Sequence, residues 1–376
     1  MVLISVGHAT LTVHWLCPKK LSPQSAEEIF SATFLACLPP RLCASAVKSL
    51  YCGDRLARPI PLAMIDSMTR RDVLAAGLAA AAPVLAGKHH SNLDKSHLSA
   101  ITDEIGRTPA EAIAFTKEFG LQWVELRSVP GAHKEYTFLP EPDLRAAAAE
   151  FAANHLRISF LNSSMLKYAW PGSSPIRQHG ENDEHYAERL SQGAQRFERR
   201  MQELDQAILT ARILNFDKVR VFTGSRVYDP PSMFPRIAEV LGEMAHVAGE
   251  AKVHLLIENE ESCNVATSAE LGAIMPLVPS PWIGMNWDPQ NTLEYHETPF
   301  PDGYALLPKS RIENVQFKAK GVMEGPEKLD WKSILRALER DRYKGQVGLE
   351  THIFDGTLIA AAHTSMREML RIIGDL

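Results

Sequence analysis

The chain has 376 residues, 45% of them hydrophobic and 23% charged, with a formal net charge of -5. That is the composition of a soluble globular protein with room for one large domain or two ordinary ones. No block of Lys and Arg stands out, which argues against a nucleic-acid groove and leaves small molecules as the expected partners.

Cys17, Cys37, Cys43 and Cys52 all precede residue 64, and only Cys263 follows it. Residues 1–63 also lack a sustained period and carry Pro39, Pro40, Pro59 and Pro61. No CxxC spacing marks a metal knuckle there, so a small disulfide or metal unit is the less favoured reading. The next stretch, "MTRRDVLAAGLAAAAPVLAG", sets Arg70 and Arg71 ahead of an Ala-rich apolar run. The run from Val73 to Ala86 falls short of the ~20 residues needed to span a bilayer. Val84, Leu85 and Ala86 offer a small-residue cleavage site. The expectation is a twin-arginine (Tat) export signal over 68–86, with translation beginning at Met64 or Met68. Residues 1–67 are then a mis-assigned or disordered extension, 87–376 form the folded domain, and the protein is periplasmic or exported. The competing reading is a short buried Ala-rich helix in a cytoplasmic protein.

From His97 onward, short β-branched or apolar runs alternate with longer runs of helical period. The strands expected in chain order are 98–102, 123–126, 157–161, 218–223, 253–258, 282–287, 312–317 and 346–350. Thr108, Pro109 and Glu111 combine an N-cap, a Pro at the first helical position and a capping acid. The longest connecting helix carries Leu190, Ala194, Phe197, Met201, Leu204, Ile208 and Ala211 at steps of three and four, an apolar stripe suited to covering a sheet. Later helices are expected at 230–252, 268–278, 330–342 and 358–373. Eight strand-helix units over about 290 residues fit a single-domain α/β fold, the (β/α)8 TIM barrel, whose usual size is ~250 residues. A doubly wound sheet is the rival, but neither GxGxxG nor GxxxxGK[ST] follows any strand.

In such a barrel the active site lies at the carboxyl ends of the strands. The fifth strand ends at Glu258 in "HLLIENEESC", the sixth at Asp288 in "GMNWDPQN", the seventh at Gln316 to Lys318, and the eighth at Glu350 in "GLETHI". Three carboxylates at one mouth repel one another unless a cation sits among them, so a divalent metal ion is expected. Oxygen-rich ligation suits Mn2+ or Mg2+.

The runs "LLIENE", "GMNWDPQNTL", "IENVQFKAK" and "LDWKSILRALERDRYKGQVGLETH", in that order, resemble the xylose-isomerase-like TIM barrels, the sugar phosphate isomerases and epimerases. The similarity covers roughly Leu98 to Ile373. It implies metal ligands at Glu258, Asp288 and Glu350, with a fourth at Gln316, where most relatives have His. An amide oxygen is a weaker ligand than imidazole for Zn2+ or Co2+, which leans the site toward Mn2+ or Mg2+. Alternatively, Gln316 binds substrate and three protein ligands remain. The resemblance also implies that Glu258 and Glu350 double as catalytic acid and base.

The expected reaction is sugar isomerisation or epimerisation. A proton leaves the carbon beside a carbonyl, and a metal-stabilised enediolate takes it back elsewhere. The same enolate could expel a β substituent, giving a lyase or dehydratase acting on an oxidised sugar or glycoside. An exported barrel that binds sugar without turnover is the alternative from another class. Lys318, His352, Asn291 and Arg127 lie at or just past strand ends and are candidates for binding substrate hydroxyls; Asp103, Glu104 and Glu125 rank below them. The expected partner is a small sugar or glycoside, with no nucleic acid and no stable membrane insertion; homo-oligomerisation is left open. A related branch of DNA-repair endonucleases needs many His ligands at strand ends, and here only His352 directly follows a strand.

Overall fold

The computed structural model describes residues 93–376, together with three strands near the start of the chain: β1 (Val2–Gly7), β2 (Thr10–Trp15) and β3 (Phe30–Leu35). The chain divides into two units, Met1–Lys88 and His89–Leu376. In the first, β1, β2 and β3 form an antiparallel meander in which Val2 pairs with Trp15 and Thr10 with Leu35. The twin-arginine segment expected at 68–86, and Cys17, Cys37, Cys43 and Cys52, lie outside the described residues.

The second unit is built on eight parallel strands: β4 (Leu98–Ala100), β5 (Trp123–Leu126), β6 (Arg157–Leu161), β7 (Lys218–Val221), β8 (His254–Glu258), β9 (Ile283–Trp287), β10 (Ile312–Lys318) and β11 (Gln346–Glu350). Their order is β4-β11-β10-β9-β8-β7-β6-β5, and a parallel bridge between Ile101 and Glu125 brings β4 against β5. The expected (β/α)8 barrel is therefore present. All eight expected strands occur, with ends moved by no more than two residues.

Local chemistry accounts for the helices. Thr108 Oγ1 accepts the Glu111 N–H at 3.2 Å to start Pro109–Phe119, and Gly120 at φ 64° ends it in the left-handed region that favours glycine. The long apolar stripe differs from expectation: it is shared by two helices, Asp183–Glu198 and Arg200–Leu214, separated at Arg199. The first buries only Gly193 and Phe197, whereas the second buries Leu204, Ala207, Ile208, Ala211 and Leu214. The break lets the apolar half lie on the sheet while the polar half stays at the surface. Among the described residues, no helix is long and apolar enough to cross a membrane.

Side chains alternate across each strand, so one set faces the helices and the other the lumen. Val219, Val221, Leu255, Ile257, Val315, Phe317, Val347 and Leu349 form the outer set, fully buried, and the Phe317 ring lies 5.9 Å from that of Trp331 in the helix Trp331–Arg340. The lumen is polar. Glu125 of β5, fully buried, accepts from Ser99 Oγ at 2.8 Å, Asn162 Nδ2 at 2.8 Å, Gln316 Nε2 at 2.6 Å and Asn314 Nδ2 at 3.3 Å. A buried charge without a cation is tolerated only when its oxygens are saturated in this way, and burial still pushes the Glu125 pKa upward against those donors.

Gly348 of β11 lies against this carboxylate, and a Cβ there would sit 1.8 Å from Glu125 Oε1. Gly348→Ala should lower unfolding free energy by about 1–3 kcal/mol in urea titrations, the usual cost of forcing volume into a packed interior. Gly242→Ala is the control: it lies exposed in the helix Phe234–Glu250 with nothing near its Cβ position, and should gain about 0.5–1 kcal/mol.

Candidate active site at the carboxyl rim

The rim is assembled by strand ends, so sequence-distant acids become neighbours without needing loops to hold them. Glu258 ends β8, Glu350 ends β11, and Asp288 follows β9; all three are buried. Each meets a tethered cation. Arg220 of β7 reaches Glu258 at 3.1 and 3.3 Å, while its Nε and Nη2 donate to the carbonyls of Ser163 and Asn162, each at 3.1 Å. Asn286 Nδ2 donates to the same carboxylate. Lys318, the last residue of β10 and the ladder partner of Glu350, places Nζ 3.1 Å from Asp288 Oδ2 and 3.6 Å from Glu350 Oε2. Asn291 Oδ1 accepts from the same ammonium, and Asn291 Nδ2 is held by the Asn259 carbonyl at 2.8 Å.

Arg127, following β5, clamps three acids. It contacts Asp103 and Glu104 at 2.8 Å each and Glu350 at 3.4 Å. Of the four side chains expected to bind substrate, Arg127 is therefore engaged by carboxylates, and Asn291 positions Lys318. Lys318, His352 and Asn291 all line a cavity of about 620 Å³ at the mouth, shared with Glu261, Glu294 and Phe354. Phe354 is 82% exposed, and its ring meets that of His352 edge-on at 4.7 Å.

These surroundings drive the carboxylates apart. Burial pushes Glu258 up to about 7, more than Arg220 can pull it down, with the Glu350 charge adding to the rise. Burial acts on Glu350 as well, but Lys318, Arg127 and Arg220 outweigh it and hold this group near 2. Asp288 is raised by burial despite Lys318. For Lys318, burial disfavours the ammonium, yet Asp288 and Glu350 outweigh it and lift the pKa above the usual lysine value. His352 is lowered, by burial first and then by the Lys318 charge.

The donor atoms suit a hard divalent cation. Gln316 spends its Nε2 on Glu125, which leaves Oε1 buried with no hydrogen-bond donor among the described residues. Asp288 Oδ1 accepts the N–H groups of Gln290 and Asn291 at 2.8 and 3.1 Å. Its Oδ2 is likewise buried and outside hydrogen-bonding geometry, although paired in charge with Lys318. Unsaturated amide and carboxylate oxygens are what Mn2+ or Mg2+ takes. Glu258, Asp288, Gln316 and Glu350 would hold such an ion. Among the described residues, the acidic and His side chains whose donor atoms already converge within 4.8 Å are Glu104, Glu350 and His352. Glu258 and Asp288 stand outside that group, drawn to Arg220 and Lys318.

Asp103 and Glu104 bind Arg127, and Glu104 Oε2 also accepts the His352 N–H at 2.7 Å. Sequence reasoning missed Arg220, Asn286 and Asn162. Arg220 had a signal: in "KVRV", a strand covered outside by helices, an arginine flanked by two valines has only the lumen to enter.

A family model described as "Xylose isomerase-like TIM barrel" matches residues 113–373, and the chain belongs to that family. Solved structures similar to it include the following three. The first is the IolI protein with a bound zinc atom, at TM-score 0.54 and 16% identity, covering 74% of this chain and 98% of that one. The second is 3-keto-D-glucoside 4-epimerase, YcjR, from E. coli, at 0.52 and 13%, covering 74% and 99%. The third is the probable 3-DHS dehydratase AsbF from Bacillus anthracis, at 0.52 and 15%, covering 72% and 98%. At these identities the likeness is one of fold. No curated protein matches the sequence significantly.

Arg220→Met strands the buried Glu258 and should cost about 3–5 kcal/mol in guanidinium titrations. Adding Glu258→Leu to that variant should restore more than half of the loss, because the uncompensated charge goes with it.

Proposed function

We propose that this barrel is a divalent-metal-dependent sugar epimerase or isomerase that moves a proton on and off the carbon beside a carbonyl. The observation that carries the reading is the placement of two buried carboxylates, Glu258 and Glu350, at the ends of different strands of one rim, above a polar lumen and beside the 620 Å³ cavity; with no ion bound, burial raises the pKa of the first while Lys318 and Arg127 lower that of the second. Paired carboxylates whose surroundings separate their pKa values are a hallmark of acid-base division of labour. Glu350 enters the reaction ionised, paired with Arg127, and takes the proton. Glu258, on the other side of the mouth, returns one. The two sit on strands separated by β9 and β10, so they approach from different sectors of the mouth. Return to the same carbon from the opposite side inverts it; return to the neighbouring carbon isomerises.

A divalent ion held by Glu258, Asp288, Gln316 and Glu350 would supply Lewis-acid polarisation of the substrate carbonyl. Lys318 and Asn291 at the cavity floor would position substrate oxygens, and the exposed Phe354 ring offers an apolar face for a sugar. The proposal includes export through the twin-arginine segment at 68–86, which suits an ion loaded during folding in the cytoplasm and a free sugar or glycoside as substrate.

The test is solvent deuterium wash-in over a panel of ketoses and keto-glycosides, with Mn2+, Mg2+, Co2+ or Zn2+ supplied. Exchange should fall by about 10²-fold or more in Glu258→Gln and in Glu350→Gln, the usual range for loss of a general acid or base. Stripping with a chelator should suppress it and re-addition of Mn2+ should restore it. Release of a β substituent as an absorbing unsaturated product would move the assignment to a lyase. Tight sugar binding with no exchange under any ion would leave a binding protein.

A further inference from the structure

Three cations serve the rim acids, and they differ in how they are held. The Arg220 guanidinium is fastened to two backbone carbonyls besides Glu258. Arg127 is fastened to Asp103 and Glu104 besides Glu350. Among the described residues, the hydrogen-bond and ion-pair partners of the Lys318 ammonium are rim side chains, namely Asp288, Glu350 and Asn291. It is a compact charge on a flexible stem rather than a fixed fork.

Its position is the one an ion needs. A divalent ion ligated by Asp288 and Glu350 must come within ~2.0–2.2 Å of an oxygen of each. The ammonium already stands between them, 3.1 Å from one and 3.6 Å from the other. Two positive centres crowded onto the same two buried carboxylates repel each other strongly, since little solvent reaches them to screen the charge. Lys318 also lines the cavity alongside Glu261 and Glu294, so it has both an exit and acids to move toward.

We propose that Lys318 is a tethered counter-ion that occupies the metal position in the unloaded barrel and must swing toward the cavity for a divalent ion to bind, so that it sets how tightly the barrel takes its metal. The inference rests on the reading that Glu258, Asp288, Gln316 and Glu350 hold that ion. Without metal the lysine prevents Asp288 and Glu350 from repelling each other; with metal it is delivered to the substrate side of the rim.

The test uses the full chain and Mn2+ alone. Calorimetric titration of the metal-stripped protein should show Lys318→Gln binding Mn2+ at least about tenfold more tightly than the wild type, as expected when a competing charge leaves a poorly solvated site. Lys318→Arg, which keeps the charge, should bind no more tightly than the wild type. In the wild type, acetylation of Lys318 by a soluble anhydride, read by peptide mass spectrometry, should rise several-fold on saturation with Mn2+; this measurement decides the matter if Lys318→Gln fails to fold. Equal or weaker Mn2+ binding by folded Lys318→Gln, or unchanged acetylation at saturating Mn2+, overturns the displacement. No Mn2+ binding by either protein overturns the metal reading and the inference together. Wild-type Mn2+ binding that is tight and indifferent to Lys318 overturns the inference alone.

Discussion

The ion pairs between Lys318 and its two carboxylates, Asp288 and Glu350, are the contact on which the rim depends. Taking an acid out of water costs several kcal/mol unless a partner charge and hydrogen bonds replace the lost solvent. Here Asp288 and Glu350 converge on one ammonium, Glu258 on Arg220, and Glu350 again on Arg127. Since each partner comes from a different strand, the electrostatics also tie the barrel together at the end where chemistry is done. The uneven supply of cations separates the acids: Glu350, facing Lys318, Arg127 and Arg220, remains ionised, while Glu258, served mainly by Arg220, is lifted toward neutrality.

Below the rim the logic changes from charge to hydrogen bonding. Among the described residues Glu125 has four neutral donors and no cation, and Gln316 is one of those donors. This gives the amide at position 316 a double use. Its nitrogen donates downward to the lumen carboxylate, while its oxygen is left without a donor. A neutral imidazole also offers one donor and one acceptor, but on a rigid ring whose nitrogens diverge. The glutamine thus couples the polar floor to the rim, and Gly348, its ladder partner on β11, leaves the space that Glu125 occupies.

Much of this was legible in the chain. Alternating apolar runs and helical stripes located all eight strands, and the carboxylates Glu258, Asp288 and Glu350 stood out because polar residues at the ends of apolar strands cost too much to be incidental. Less legible was what compensates them. Lys318 could be placed near the mouth, yet its role as ion partner of Asp288 depends on the sixth and seventh strands being neighbours. Arg127 looked like a residue for substrate hydroxyls, and only the position of Asp103 and Glu104 across β4 and β5 turns it into a clamp. The division of the long helix at Arg199 was hidden because the apolar stripe continues through the break with its spacing intact.

Period and propensity act over a few residues, so the sequence by itself determined the strand and helix order, the barrel class and which strand ends carry acids. Charge compensation acts through space between residues far apart in the chain: Arg220 and Glu258 are separated by 38 positions, and Arg127 and Glu350 by 223. No local pattern encodes such pairs. Which cation meets which acid, and therefore which carboxylate holds a proton near neutrality, was decided only when the closed ring of strands brought them within about 3–4 Å, where desolvation and Coulomb attraction become comparable in size.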